Sequence, residues 1–285
     1  MTTTITSGNF SASIKHLGAE LFSFKNSDSN TEYMWEGNPD FWAKHSPILF
    51  PIVGTLKNNS YHVNGIDYKL PRHGFARDTN FELINKTANS ATFSVRASQD
   101  SMKVYPFNFI LQVKYTIHAA TVHIDYTVSN EGNSPLPFSI GAHPALALPG
   151  NFEDYAIEFE NEETLEYHLL ENDLIVENTA TLQSTNKVVD LNYELFKNDA
   201  LIFKKLKSKS ITILKNNLSY LKVNFPNFPH LGIWTKINAP FLCIEPWYGY
   251  SDSKKSTGNL YDKEGIQVLA PHARFQSTFS IEIIQ

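Results

Sequence analysis

The segment FILQVKYTIHAATVHIDYTVSN, from Phe109 to Asn130, carries the clearest structural pattern in the sequence. In each half, apolar side chains occupy every second position and polar side chains occupy most positions between them. Strict alternation over such a length is typical of β-strands. The segment therefore predicts two long strands. Their alternating apolar residues are Leu111, Val113, Tyr115 and Ile117, then Val122, Ile124, Tyr126 and Val128.

The same alternation recurs along the chain. It is found in ATFSVRAS, SITILK, YLKVNF and the terminal FQSTFSIEIIQ. Turn-forming residues separate such strands, as in NGID (64–67), SNEGNSP (129–135) and LPGNFED (148–154). Strands at short, regular spacing predict an antiparallel sandwich or barrel. Since no linker, internal repeat or shift in composition is present, we expect one continuous all-β domain over residues 1–285.

Helical signals are few and short. The clearest is NPDFWAKH, in which Asn38 fits an N-cap and Pro39 the first helical position. The stretch ELFKNDALIF, around Leu195, predicts a further helical turn. We therefore expect few short helices beside the strands.

Composition narrows the classes of partner and compartment. With 42% hydrophobic and 19% charged residues, the chain is expected to be well packed and soluble. A net charge of -5 without a run of Lys or Arg argues against nucleic acid or an anionic membrane as the main partner. The single cysteine, Cys243, excludes an intrachain disulfide, and the start MTTTITSGNF lacks the features of a signal peptide. We therefore expect a cytoplasmic protein.

Common local motifs for metal, phosphate and nucleophilic chemistry are absent. The ten histidines include no HExxH pattern, and no P-loop or GxSxG pattern occurs. We therefore expect no metal site, and any chemistry must come from residues that are far apart in sequence.

Two segments combine small residues with groups that could bind or react. LPRHGFARD (70–78) places Arg72, His73 and Arg77 around a glycine, which indicates either a binding loop or a solvated loop with paired charges. FSIGAHPALALPG (138–150) places His143 among apolar and small residues, just before a proline that favours extended geometry. From local features His143 is either a core residue whose hydrogen bonds are satisfied within the protein or a group that faces a ligand.

A third segment, FLCIEPWYG (241–249), ends an apolar strand with a carboxylate. Glu245 shares one face with Phe241 and Cys243, and Pro246 is expected to end regular pairing, so that Glu245 lies at a strand end. Burial would raise its pKa, as a general base near neutral pH requires, but a buried carboxylate is as often paired. With His143 as the acid, the two residues would suit proton transfer on a small polar ligand.

These motifs, in the order PRHGFARD, SIGAHPAL and CIEPWYG, resemble the aldose 1-epimerase (galactose mutarotase-like) family. The likeness extends from about Phe10 onward and is greatest to the bacterial subgroup that accompanies lactose-utilisation operons. The resemblance implies a large antiparallel β-sandwich with an open cleft and the interconversion of α and β anomers of a hexose, without a cofactor. It also implies that Glu245 is the base, His143 the acid and His73 a second histidine that holds the sugar.

The resemblance further suggests binding residues. Asp199 matches a carboxylate that binds sugar hydroxyls, Arg72 and Arg77 are candidates for binding, and Trp247 could stack on a pyranose or pack in the core. Many relatives carry Arg where this chain has Thr55, so the usual sugar-binding Arg is either missing or replaced by Arg72 or Arg77. The expected partner is a small sugar, either a free hexose or a hexose 6-phosphate. A non-catalytic carbohydrate-binding protein is the remaining alternative, and a homodimer is possible.

Overall fold

The computed structural model describes residues 1–284, and its backbone is dominated by strands. The last residue of the predicted terminal strand, Gln285, lies outside the described residues. The strands are β1 (Thr2–Ser7), β2 (Phe10–Lys15), β3 (Leu21–Asn26), β4 (Thr31–Glu32), β5 (Ile48–Leu49), β6 (Ser60–Val63), β7 (Ile66–Lys69), β8 (Glu82–Lys86), β9 (Ser90–Arg96), β10 (Phe109–His118), β11 (Thr121–Asn130), β12 (Leu136–Phe138), β13 (Ile140–Ala142), β14 (Ala145–Ala147), β15 (Tyr155–Phe159), β16 (Leu165–Glu171), β17 (Leu174–Leu182), β18 (Val188–Asp190), β19 (Leu201–Phe203), β20 (Ser210–Lys215), β21 (Leu218–Asn224), β22 (His230–Trp234), β23 (Phe241–Tyr248), β24 (Gln267–Leu269) and β25 (Arg274–Ile283).

Within residues 1–284 the strands form two large antiparallel sheets and three small ones. The first large sheet has the order β18-β15-β20-β21-β25-β11-β10-β9-β8. The second has the order β17-β16-β19-β22-β23-β13-β5, and β14 pairs with β23 beside it. One hydrophobic cluster contains Leu111 and Val113 of the first sheet together with Ile233, Leu242 and Ile244 of the second. The two sheets thus enclose a common core, and the predicted antiparallel β-sandwich is confirmed.

The opening segment forms the predicted pair of strands. β10 and β11 pair along their whole length, from Phe109 opposite Asn130 to His118 opposite Thr121. Every apolar residue of the predicted alternation is buried in both strands. Among them, the buried Tyr115 hydroxyl donates a hydrogen bond of 2.6 Å to the carbonyl of Ala19. Alternation therefore places one face of this hairpin in the core.

The predicted helix at NPDFWAKH is wrong. The segment makes a single turn, in which the Trp42 amide donates to the Asn38 carbonyl at 2.9 Å and the Asp40 amide donates to the Asn38 side chain at 3.0 Å. Tertiary contacts outweigh the capping signal, because the Trp42 carbonyl accepts a hydrogen bond from the Trp35 indole at 2.9 Å. The turn predicted near Leu195 is confirmed as a 3₁₀ helix over Tyr193–Phe196.

Helical structure elsewhere is limited to short pieces. The α-helix Gln99–Val104 begins at a capping box formed by Ser98 and Ser101. Short 3₁₀ helices cover Lys57–Asn59, Ala76–Asp78, Phe152–Asp154 and Leu260–Asp262. In residues 1–284 no helix has the length and apolarity needed to cross a membrane.

Strand β23 does not end at Glu245, which corrects the expectation from Pro246. The strand continues to Tyr248, because β22 keeps it in register with Gly232 opposite Glu245 and Leu231 opposite Pro246. Strand pairing is interrupted instead on the other side of β23. There the neighbouring strands β13 and β14 are separated by His143 and Pro144. Glu245 therefore lies within a central strand, on the face opposite to Leu242 and Ile244 of the main core.

Candidate active site

Antiparallel register brings His143 and Glu245 together. β13 pairs Gly141 with Trp247, and β14 pairs Ala145 with Cys243, so the same register carried across the gap sets His143 opposite Glu245. Cross-strand neighbours on one face of a sheet are close enough for their side chains to meet. The His143 Nε2 atom lies 3.2 Å from the Glu245 Oε2 atom. Two residues that are about a hundred positions apart thus form one pair.

Burial favours the neutral form of this pair. Glu245 is 1% exposed, and burial raises the pKa of its carboxyl well above the usual range. Burial, with a smaller contribution from the Arg72 charge, lowers the pKa of His143 to about 3. Over the pH range between these pKa values, His143 and Glu245 together hold one proton. Because Nδ1 of His143 is buried and lacks a hydrogen-bond partner in the described structure, this nitrogen retains capacity for a ligand.

Two tryptophans that the sequence reasoning missed surround His143. The Trp42 ring stacks on the imidazole with 4.7 Å between ring centroids and 26° between planes, and Trp234 meets it edge-on at 5.8 Å. Trp234 could have been found, because it is paired with Cys243 and so shares the face that carries Glu245. Trp42 gave no such signal, since it lies in the segment expected to be a helix. These rings exclude water from one side of the acid–base pair.

Trp247 forms the wall of the site beside Glu245. Its indole N–H donates to the Ala142 carbonyl at 3.2 Å, and the residue is only 4% exposed. The ring lies against two backbone positions without side chains, Gly141 and Gly232. Trp247 therefore packs as a core residue and also lines the cavity. Its stacking on a pyranose stays a prediction.

Gly232→Ala is expected to destabilise the protein by about 1–3 kcal/mol, because a new methyl group would overlap the Trp247 ring. An added Cβ would lie 2.5 Å from the indole, and backbone conformation adds nothing because Gly232 does not have a positive φ. Urea unfolding measures the change. Gly132→Ala is the matched control, since the nearest atom there is 3.3 Å away. Equal stability of the two variants would contradict this packing of Trp247.

His73 lies against His143 in an unusual backbone conformation. Its φ is 68°, and the two imidazole centroids are 5.8 Å apart with an edge-on geometry. The His73 Nδ1 atom accepts a hydrogen bond of 3.1 Å from the Gly54 amide. Burial, followed by the charges of His143, Arg72 and Arg77, lowers the pKa of His73 well below its usual value. His73 is therefore a neutral imidazole at the edge of the acid–base pair.

Arg72 links two acidic residues across the cleft. Its guanidinium makes a 2.8 Å ion pair with Asp173 and lies 4.0 Å from Asp199. Asp199 is held with φ of 83°, and its carboxylate accepts a hydrogen bond of 2.7 Å from the Ala200 amide. Asp173 was missed from sequence, because it lies in the turn between β16 and β17 without a motif. The contact fixes the Arg72 side chain over the cavity.

Arg77 supports the loop that carries His73. Its guanidinium donates a 2.9 Å hydrogen bond to the Arg72 carbonyl and lies 3.6 Å from the Asp78 carboxylate. Within the described residues its Nε atom is buried without a hydrogen-bond partner. Arg77 thus both holds the Arg72 backbone and reaches the cavity. Arg72 and Arg77 supply guanidinium groups on this side of the site. Thr55 is buried, and its backbone amide donates to the Ser251 hydroxyl at 3.0 Å.

All seven residues selected from the sequence line one cavity of about 610 Å³. This volume is within the range of small-molecule sites. The groups that come together are His73, His143, Glu245, Arg72, Arg77, Asp199 and Trp247. The remaining lining residues include Trp42, Trp234, Lys197 and Lys236. An open, polar cavity with a buried acid–base pair suits a small hydroxylated ligand.

The site also contains three groups of types that can bind metals. Ligand atoms of His143, Cys243 and Glu245 lie within 4.8 Å of one another. Metal binding requires a thiolate, yet burial and the nearby Glu245 raise the pKa of the Cys243 thiol well above its usual value. Cys243 also packs in an apolar cluster with Trp35 and Phe241. The donor set therefore fits an acid–base pair beside a buried thiol better than a metal site.

Fold and site together define a β-sandwich protein of the galactose mutarotase-like class. A galactose mutarotase related enzyme from Lactobacillus acidophilus has a TM-score of 0.95 and 32% identity, over 100% of this chain and 98% of that one. A galactose mutarotase-like protein from Lactobacillus casei has a TM-score of 0.94 and 27% identity, with full coverage of both chains.

Sequence comparison gives the family. The family model for aldose 1-epimerase matches residues 1–263. The chromosomal protein LacX of Lactococcus lactis subsp. lactis is 33% identical over 95% of both chains. The chain belongs to the aldose 1-epimerase family, which confirms the resemblance seen in the three motifs.

Proposed function

We propose that this protein interconverts the α and β anomers of an aldohexose by acid–base opening of the sugar ring. The observation that carries the proposal is the buried pair of Glu245 and His143, 3.2 Å apart, which lines a cavity of the size of a small ligand. Ring opening requires one group to remove a proton from the C1 hydroxyl and another to protonate the ring oxygen. A pair that holds one proton between two strands meets this requirement.

The proton transfers balance over a full catalytic turnover. When the sugar binds, the proton of Glu245 passes to His143, which gives a carboxylate and an imidazolium. The carboxylate then takes the C1 hydroxyl proton while the imidazolium protonates the ring oxygen, and the bond from C1 to the ring oxygen breaks. The resulting neutral pair is the form that burial favours. After rotation about the C1–C2 bond, the reverse transfers close the ring on the other face.

The other cavity residues would bind and shield the sugar. Asp199 offers a carboxylate to sugar hydroxyls, and Arg72 and His73 offer hydrogen-bond donors. The Trp42 ring, stacked on His143, keeps water from the imidazole during proton transfer. No cofactor takes part in any of these steps.

A second candidate substrate, an aldose 6-phosphate, is favoured by the cations of the cavity. Four cationic residues line it, and three of them already lie near carboxylates: Arg72 near Asp173, Arg77 near Asp78 and Lys197 near Glu194. Within residues 1–284, Lys236 has no carboxylate within 4.0 Å of its ammonium group and so offers a free charge for phosphate.

Polarimetry of freshly dissolved α-glucose, α-galactose and their 6-phosphates tests both candidates. Wild-type protein is expected to accelerate mutarotation of at least one of these sugars. If the phosphate is bound, Lys236→Ala should lower kcat/KM for the 6-phosphate about tenfold or more and leave the free sugar unchanged. Lys197→Ala, whose ammonium is 3.1 Å from Glu194, is the matched control. Binding of sugars without any acceleration would instead indicate a non-catalytic carbohydrate-binding protein.

A further inference from the structure

The backbone on both sides of His143 is held by the chain that leads into β5. Ala145, two positions after His143, donates its amide to the His45 carbonyl at 2.8 Å. Ala142, directly before His143, is paired with Ile48 of β5. The pairing of β13 and β14 with β23 fixes His143 from one side. The chain that leads into β5 therefore fixes it from the other side.

The same chain supplies the ring that covers the imidazole. Trp42 stacks on His143 with 4.7 Å between ring centroids, and it lies only three positions before His45. The Trp42 ring also lies 5.9 Å from the Phe241 ring in a stacked geometry. A displacement of residues 42–48, the 42–48 segment, would therefore move both the backbone support of His143 and the ring that shields it.

The 42–48 segment lies at an edge of its sheet and is held there by a carboxylate. Within residues 1–284, β5 is the last strand in the order of this sheet. The Glu20 Oε1 atom accepts hydrogen bonds from the His45 amide at 2.8 Å and from the Ser46 amide at 3.2 Å. Hydrogen bonds from backbone amides to a carboxylate are stronger than those to a neutral acceptor. Glu20 is only 7% exposed, so the loss of these bonds would leave buried amides unpaired.

Glu20 is itself fixed to the core of the sandwich. The carbonyl of its neighbour Ala19 accepts the Tyr115 hydroxyl at 2.6 Å, and the Glu20 carbonyl accepts the Lys15 amide at 2.8 Å. Its Oε2 atom lies 3.6 Å from the Lys15 ammonium. Burial raises the pKa of Glu20, but the hydrogen bonds and charge of His45 and the Lys15 charge lower it overall. The carboxylate is therefore ionised at neutral pH.

We infer that Glu20 is a positioning residue for His143. It does not line the cavity and so does not act on a ligand directly. Through two backbone amides it holds the 42–48 segment, so that Trp42 stays stacked on the imidazole. The effect on catalysis rests on the proposed function. The stacking of Trp42 on His143 does not, and can be measured without any substrate.

The test compares Glu20→Ala with Glu163→Ala. Glu163 makes the same kind of contact, because its carboxylate accepts the Lys207 and Ser208 amides, both at 2.7 Å, but it does not line the cavity. Glu20→Gln is the conservative variant, since its amide oxygen can still accept both backbone amides. All variants are compared at a temperature at which each is folded.

NMR spectra of the histidine ring protons give the structural readout. An indole stacked on an imidazole shifts the imidazole C–H signals upfield. His143→Gln assigns these signals, and Trp42→Leu shows the part of the shift that comes from the indole. We expect the upfield shift in the wild type, in Glu163→Ala and in Glu20→Gln, and its loss in Glu20→Ala.

Two results of this measurement would overturn the inference. One is an unchanged upfield shift in a folded Glu20→Ala protein. The other is a set of His143 signals that Trp42→Leu does not move, and this result would count even if Glu20→Ala failed to fold.

Kinetics provide the second readout. Glu20→Ala should lower kcat about tenfold with little change in KM, because His143 is no longer aligned while Asp199 and the other binding side chains are not displaced. Glu20→Gln should restore most of this loss, and Glu163→Ala should retain wild-type kcat. An equal loss of kcat in both alanine variants would contradict the inference. If the wild type accelerates no sugar but the ring signals follow the expected pattern, the proposed function fails and the positioning of His143 stands.

Discussion

Replacing Glu245 by Gln is expected to lower kcat about 10³-fold with little change in KM. The amide has nearly the same shape as the carboxyl but cannot accept the C1 hydroxyl proton, so the loss falls on the chemical step. Initial rates of mutarotation by polarimetry give the two parameters separately. A variant that retained full kcat would exclude Glu245 as the base.

The same variant should not lose stability. Burial raises the pKa of Glu245, so the carboxyl stabilises the fold fully below its unfolded pKa near 4.5 and less as the pH rises toward its folded pKa. Glu245→Gln cannot ionise, and its melting temperature relative to wild type should therefore rise with pH above about 4.5. A lower melting temperature at pH 8 would indicate a charged, paired Glu245 instead.

Glu20→Gln is the matched control with the opposite sign. Burial raises the pKa of this carboxyl, but hydrogen bonds and charge from His45, together with the Lys15 charge, lower it overall. The His45 amide donates to it at 2.8 Å. Its stabilising effect is therefore present above pH 4.5 and is lost as the pH falls. Glu20→Gln should reduce the melting temperature at neutral pH, which separates a structural carboxylate from the one in the cleft.

Replacing His143 by Gln is expected to lower kcat about 10²- to 10³-fold, because the ring oxygen would leave without a proton donor. The wild-type pH profile should be flat over the pH range in which His143 and Glu245 together hold one proton. Activity should fall as the pH approaches about 3, since a second proton on the pair leaves Glu245 unable to accept one. Rates measured from pH 3 to 8 with protein shown to be folded test this profile.

Stability of the His143 variant gives an independent check. Burial lowers the pKa of His143 to about 3, so the neutral ring contributes stability that is fully present above its unfolded pKa near 6.5 and is lost as the pH falls through about 3. His143→Gln should therefore lose less stability than wild type between pH 6.5 and pH 3. An equal loss in both proteins would mean that His143 does not resist protonation.

Strand patterns were predictable from the sequence because alternation records burial directly. Leu111 and Val113 are buried as their spacing predicts, and the face of β23 with Cys243 and Glu245 was also correct. The end of that strand was wrong, because local reasoning about Pro246 does not include the support of β22 on the far side. That residues 1–285 form a single domain stays a prediction, and so do the roles of the site residues.

Contacts between residues that are far apart in sequence could not be predicted. Trp42 reaches His143 only because its segment turns instead of forming a helix, and Asp173 meets Arg72 across the cleft from a hairpin turn. The pairing of His143 with Glu245 required the register of β13 and β14 against β23, which no local motif contains. Motif order selected His143 and Glu245 as candidates, and only the sheet explains why they meet.

Anomer exchange at equilibrium tests the central claim most directly. Two-dimensional exchange NMR in D₂O on glucose, galactose and their 6-phosphates reports the exchange of the α and β anomeric protons. We predict cross-peaks that grow with wild-type protein, are lost with Glu245→Gln, and occur without deuterium incorporation at any carbon, because only O–H and C–O bonds change. Exchange at the spontaneous rate for every sugar, or deuterium at carbon, would contradict acid–base ring opening by Glu245 and His143.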